Sequence, residues 1–516
     1  MKKVIYIWTV LILVTGLLLA ACPGPAPTPA PTTPEPGPKY GGVLKILYRT
    51  AIKNLGYPPE LSGTTTGSDP ALEKLVYFDL AGRTLPGLAT AWEIAPDGKS
   101  ITFTLRKGVK FHDGTDFNAA AVKYNLEARK AAKRGDLDDM VSIDIIGEYT
   151  VRLNLSKWHN ALLANLATYT GYIASPTAIQ KNGTEWAMAN PVGTGPFVFV
   201  SWERDVAIKY KKFDGYWDKG KPYLDGIEFR FFADATTQVM AFKAGEGHVL
   251  SPLMPMDVAD LKAKGYRITI TPFTGPGGPM LVSDSKNPAS PYADKRVRMA
   301  VDYAIDKKAI CEHIFYGYYV PLLEPVCPDN PCYIPGLERG YDPGKARQLL
   351  SEAGYPKGFK TRLIARTDHD RDMVIAVHTY LREAGFDADL EIVDTGKYYE
   401  YHYGTWSNAL IVSTCCPGNH PLIGFETALS PNARFAAMTL RPPEWQVLLQ
   451  QALSATSYNT MIARGKQLVI VMQNEAMVNG LYATAQICAL VEGVHNMDGV
   501  PLPGYVWYPA DAWLSK

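Results

Sequence analysis

The densest set of side chains able to do chemistry lies between Tyr398 and Pro421, YYEYHYGTWSNALIVSTCCPGNHP. Tyr398, Tyr399, Tyr401, Tyr403 and Trp406 offer a stacking surface, although aromatic residues at such spacing also serve as core, and half of them are expected to face it. His402 and His420 have no partner at metal-ligand spacing such as i, i+4, so no metal site is expected. The vicinal pair Cys415 and Cys416 suits a strained disulfide lining a pocket, two thiols bonded to distant partners, or a bridge that staples a loop. No acidic residue occurs between Glu400 and Glu426, so this stretch cannot by itself neutralise a bound cation. Tyr398, Tyr399, Trp406, Ser413, Cys415, Cys416, Asn419 and His420 form the candidate ligand-binding set.

Catalytic signatures are missing from the chain. It contains no G-x-S-x-G elbow, no H-E-x-x-H and no P-loop pattern, although a Ser-His-Asp triad is defined by geometry rather than by order. No cofactor is implied. With 52 Lys+Arg against 51 Asp+Glu over 516 residues the formal charge is +1, which leaves no electrostatic footprint for nucleic acid. A 47% hydrophobic content supports a sizeable core, and the length suggests two to four structural units.

The elements that must position these residues read as mixed α/β from Gly41 onward. Val43, Leu44, Ile46 and Leu47 form a short buried strand. Ile101, Phe103 and Leu105 alternate with polar residues behind the turn Asp97-Gly98, so 88–107 reads as two antiparallel strands. Asn118 caps a helix that runs to Gly135. Strands recur over 195–232. Val297, Val301, Ala304 and Ile305 begin a helical period at Asp294, and helices follow at 342–353, 371–385, 443–455 and 459–476.

The N-terminus bears on compartment. Lys2 and Lys3 precede an apolar run from Val4 to Ala21, and Leu19-Ala20-Ala21-Cys22 resembles the bacterial lipobox. Residues 1–21 are therefore expected to be a lipoprotein signal peptide and Cys22 the lipid attachment site. Residues 22–39, rich in proline, form an extended tether. Everything beyond is expected to be extracytoplasmic, where disulfides persist. Cys327 and Cys332 flank the tight segment Pro328 to Pro331, so a small loop-closing bridge is expected there. A zinc site competes, but no CxxC or matching His spacing supports it.

Several motifs in order carry a family resemblance. They are Pro86 to Gly98 (PGLATAWEIAPDG), Phe103 to Thr115 (FTLRKGVKFHDGT), Asn190 to Pro196 (NPVGTGP), Tyr216-Trp217 and Pro222 to Phe229 (PYLDGIEF). Ala293 to Arg298, Tyr303 to Asp306, Tyr341 to Pro343, Glu352 to Pro356 and Ala512-Trp513 continue the order. Together they resemble the family 5 extracellular solute-binding proteins, the peptide, nickel and opine receptors of ABC importers. The resemblance runs from about Tyr40 to the C-terminus.

It implies an α/β, three-lobed periplasmic-binding-protein-like fold of the large cluster C type, with mixed sheets and a hinge between lobes I and III near 292 and 480. Lobe I would comprise 40–75, 190–292 and 480–516; lobe II, 76–189; and lobe III, 293–479. In peptide-binding members the segment corresponding to Tyr398–Pro421 carries G-x-Y-D, then a Trp, and three residues later an Asp that pairs with the ligand's α-ammonium. Here Gly404-Thr405-Trp406-Ser407 occupies the first slot, Ser413 replaces the Trp and Cys416 the Asp. The resemblance thus implies a monomeric receptor, without enzymatic activity, that delivers a peptide-like or other small organic solute to ABC permease subunits. The ligand would lack a free α-ammonium at that end, or have its cation met by another lobe. An extracytoplasmic lipoprotein hydrolase and a solute sensor uncoupled from transport are the alternatives.

Overall fold

Strand Val43–Tyr48 packs on both faces from Leu44 to Tyr48, although Val43, expected to be buried, is exposed at its start. Leu44 and Ile46 pack with Phe197, Ile227, Phe229 and Trp507, whereas Leu47 packs with Phe242, Leu250 and Leu261. The computed structural model describes residues 37–49, 52–61, 66–272, 278–415, 420–431, 433, 435–497 and 507–515. Cys22, the signal segment and most of the tether, and Cys416 and Asn419, lie outside these residues.

Three larger sheets organise the body. The first has seven strands in the order Phe197–Glu203, Ala207–Lys212, Gly226–Phe231, Val43–Tyr48, Val249–Ser251, Ala485–Leu490 and Arg267–Pro272. Val43–Tyr48 runs parallel to both neighbours and the remaining pairs are antiparallel. The second is antiparallel, in the order Ala89–Ile94, Ser100–Leu105, Thr150–Leu155 and Met140–Gly147. Ile101, Phe103 and Leu105 point into its core, as their alternation predicts. Helix Ala119–Ala131 packs there, with Asn118 Oδ1 accepting from the N–H groups of Ala120 and Ala121. The helix ends short of Gly135, because Lys133 already adopts a positive φ of 52°.

The third sheet has the order Asp387–Val393, Lys360–Arg366, Ala409–Cys415, Gly278–Ser283 and Asn479–Gly480. Its first three strands are parallel and the others antiparallel. Gly278–Ser283 falls within the 190–292 segment assigned above to lobe I, yet it pairs here. The chain therefore leaves the first sheet before 278 rather than near 292. Helices Lys295–Ala304, Lys307–His313, Pro343–Glu352, Arg371–Glu383, Pro443–Leu453 and Tyr458–Glu475 surround this sheet. Buried Asp302 there takes Lys307 at 2.5 Å and Arg339 at 3.0 Å.

The bridge expected between Cys327 and Cys332 is not formed, and Cys332 carries a free, buried thiol. Asn330 holds the turn instead: its N–H donates to Cys327 O at 2.9 Å, and its Oδ1 accepts from Cys332 N at 2.7 Å. The Cys332 sulfur lies against Gly465, where an added Cβ would stand 2.5 Å from it. The sulfur thus fills a contact with helix Tyr458–Glu475.

Candidate functional site

The Tyr-rich stretch forms a helix, Thr395–Tyr403, which Asp394 starts by accepting from Lys397 N at 3.0 Å and Gly404 ends. Helical spacing separates its aromatic residues by role. Tyr398 is buried, donates its OH to Val412 O at 2.8 Å and stacks on His402 with ring centroids 5.2 Å apart. Tyr399 lies on the more open side, stacked on Tyr403 at 5.0 Å. Its hydroxyl accepts from Arg366 Nη1 at 3.0 Å.

Strand Ala409–Cys415 runs beneath this helix. Ser413, also buried, meets His402 Nε2 at 2.8 Å through its Oγ. Burial, reinforced by Arg366 and His369, pushes the His402 imidazole down to about 4, so it is neutral near pH 7. A Ser–His contact invites a nucleophile reading. However, His402 Nδ1 is buried with no partner, so no carboxylate orients the ring. Both groups sit inside the core, where the pair acts as a polar crosslink between helix and strand.

Trp406 is only 4% exposed and belongs to the same apolar cluster as Ile364, Ile411 and Trp445. It packs, and its Nε1 is buried without a partner. Cys415 ends the strand opposite Gly278; a bond from Cys415 to Cys416 involves a residue outside the described ones. His420 is placed elsewhere from the Tyr398–Ser413 cluster. Its Nδ1 accepts from Leu422 N and Ile423 N, both at 3.2 Å, and its ring faces Phe78 of the second sheet's body at 6.1 Å. Burial first, and then His159, pushes it down to about 3.

Two residues escaped the sequence reading. Arg366 ends strand Lys360–Arg366, and its guanidinium lies 5.2 Å from the Tyr398 ring and 5.6 Å from that of Tyr399. Its Nε also bonds Asp368. His369 accepts from Arg366 N at 3.2 Å and sets its ring edge-on to Tyr398 at 5.5 Å. No spacing rule links 366 to 399; only the sheet order brings them together. The cluster combines a cation with phenolic rings, a chemistry that suits an anionic or aromatic partner.

The seam between the second sheet's body and the helices around 420–461 is tied by several contacts. Asn160 donates from its backbone N–H to Leu453 O and from Nδ2 to Ala452 O, each at 2.8 Å. His159 Nε2 meets Glu426 at 2.9 Å. A cavity of about 480 Å³ opens beside that pair. Among the described residues, no group of three or more His, Cys, Asp or Glu side chains is placed to hold a metal ion. Also among them, no helix is long and apolar enough to cross a membrane.

The chain has the fold of solved periplasmic binding proteins. The chain belongs to the bacterial extracellular solute-binding proteins, family 5, whose "Middle" model matches residues 83–414. It is similar to the glutathione-binding protein GsiB of Pectobacterium atrosepticum, with 33% identity over 327 residues, covering 62% of this chain and 63% of that one. The same-named protein of Shigella flexneri is 35% identical over 318 residues, covering 60% and 61%. The chain thus spans about three fifths of the length of these curated relatives.

Solved structures extend the likeness in fold. DppA of Helicobacter pylori in complex with peptide STSA superposes with a TM-score of 0.72 at 23% identity, covering 93% of this chain and 99% of that one. AgaA of Agrobacterium tumefaciens R10 in complex with agropinic acid gives 0.70 at 26% identity, covering 92% and 99%. These family and relative names are those of binding proteins rather than enzymes.

Proposed function

We propose that this protein is the extracytoplasmic receptor of an ABC importer, that it takes up a peptide-like or opine-like solute by closure of its lobes, and that it passes the solute to permease subunits in the membrane. Family membership supports the class. The ligand preference rests on one observation: the Arg366–Tyr399 cluster offers phenols and a guanidinium that it shares with exposed Asp368, while the stretch from Glu400 to Glu426 offers no carboxylate between its ends. Such a surface receives the anionic or neutral end of a solute. Relatives named for glutathione, and neighbours holding a peptide or agropinic acid, support a small organic solute.

In this reading, open and closed states exchange and the ligand stabilises the closed one through contacts made only there. Sequences 40–75, 190–277 and 480–516 form lobe I, 76–189 lobe II and 278–479 lobe III. Lipidation at Cys22 holds the monomeric receptor at the membrane, with the proline-rich segment as its tether.

The test is mass spectrometry of small molecules released on denaturing purified protein, alongside melting shifts with glutathione, unmodified peptides, opines and nickel chelates. A ligand that binds only the folded state raises the melting temperature by mass action. An anionic or neutral solute is expected to produce the shift. Co-purification of an unmodified peptide whose free amino terminus is essential for binding would overturn the ligand preference. Turnover of any compound would overturn the receptor reading.

A further inference from the structure

The seam that Asn160 ties also encloses a second, smaller space of about 280 Å³. Its wall is largely aromatic, with Phe78, Trp92, Trp158 and Tyr458 around it, and Thr84, Thr456 and Ser457 add hydroxyl groups to the lining, to which Leu163 and Met461 also belong. Two of these four rings are anchored by hydrogen bonds. Trp158 Nε1 donates to Ala455 O at 3.0 Å and Tyr458 OH to Ala81 O at 2.6 Å, while His420 is spent on the two backbone N–H groups it caps. These side chains therefore cannot swing inward to fill the space.

The charge balance of the wall narrows what fits. Its one charged side chain, Arg83, bonds Asp79 at 2.6 Å, and no carboxylate lines the space. A bound ammonium would find no counterion, and a bound carboxylate would find only a cation already paired. Asn160 is 7% exposed, donates its backbone N–H and its Nδ2 to carbonyls, and leaves Oδ1 buried without a partner. An occupant carrying one N–H or O–H on a flat ring matches this wall in shape, polarity and charge.

We propose that the seam space is a binding site for a neutral aromatic group of indole or phenol type, held between Trp92, Trp158 and Phe78. Because its walls come from two separately built layers, an occupant binds only while they are apposed and stabilises that apposition. The ring belongs either to one end of the imported solute or to a separate molecule. The first source rests on the receptor reading; the site itself does not.

The experiment titrates the full purified protein with indole and with p-cresol by calorimetry, using benzoate and benzylamine as charged controls. One saturable site for the neutral rings is expected, with a dissociation constant below about 1 mM, and none for the charged ones. Leu163→Trp and, separately, Met461→Phe, which fill the space, are each expected to weaken indole binding at least tenfold while the circular dichroism spectrum stays that of the parent. Absence of saturable binding, equal binding of benzoate, or unchanged affinity in whichever filled variants stay folded would overturn the proposal. Competition between indole and the solute released from denatured protein assigns the ring to the solute; simultaneous binding assigns it to a separate molecule. Indole binding in a protein whose melt no solute shifts would remove the receptor reading and leave the site standing.

Discussion

Ser413 and His402 show how a pair that looks reactive can be structural. With the imidazole pushed down to about 4 and both residues buried, their bond joins helix Thr395–Tyr403 to strand Ala409–Cys415. Ser413→Ala leaves both ring nitrogens of His402 unpaired and is expected to lower stability by about 1–3 kcal/mol, read by denaturant titration. Arg366 is shared between Asp368 and Tyr399; if the proposed receptor reading holds, Arg366→Gln is expected to weaken an anionic solute by roughly 10–100-fold, the range of one charged hydrogen bond, measured by calorimetry on the solute that co-purifies. His420 carries a pH signature. Its folded form is held neutral, down to about 3, mainly by burial, whereas an unfolded imidazole titrates near about 6.5. The stability it contributes is therefore complete above pH 6.5 and is lost as the pH falls towards 3. His420→Asn keeps an acceptor for the two backbone N–H groups, and should make the slope of stability against pH shallower by up to one proton in that window. An unchanged slope would show that the imidazole is not held neutral.

At the scale of elements, Gly278 is the most constrained entry into the third sheet. Its φ is +133°, and an added Cβ would stand 2.0 Å from Tyr482 O. Gly278→Ala is expected to cost about 1–3 kcal/mol or more through backbone strain and displaced pairing, visible as a lower melting temperature and faster amide exchange in Ala409–Cys415. Regular periods made other elements readable in advance. The strand Val43–Tyr48, though not the burial of Val43 itself, the hairpin ending at Leu105 and the amphipathic helices after Asp294 all follow from spacing alone. Helix Thr395–Tyr403 did not, because tyrosines on successive positions hide any apolar stripe and the segment reads equally as a loop. The placement of Gly278–Ser283 was also out of reach, since its partner strand lies far along the chain and nothing local distinguishes one sheet from another. Arg366 was missed for the same reason: its meaning depends on which strand neighbours it. Of the proposed ligand residues, Tyr399 keeps an open position beside a cation, while Trp406 turned inward because its indole fills the space beside Ile411 and Trp445.

Across the whole molecule, the chain leaves the first sheet for the second, returns to it, leaves it again for the third and returns once more at Ala485. The seam contacts of Trp158, Asn160 and Tyr458 join bodies that are otherwise built separately. The first sheet has a consequence for how the molecule is made. Strand Ala485–Leu490 lies between Val249–Ser251 and Arg267–Pro272, and Leu490 pairs with both Val249 and Arg267. A chain emerging from the ribosome therefore holds those two strands unjoined until Ala485–Leu490 appears, while the second sheet, drawn from a single continuous stretch, can close early. Contacts so distant in sequence are slow to form. Synthesis thus leaves an interval in which Val249–Ser251 and Arg267–Pro272 await their common neighbour and the first sheet is incomplete.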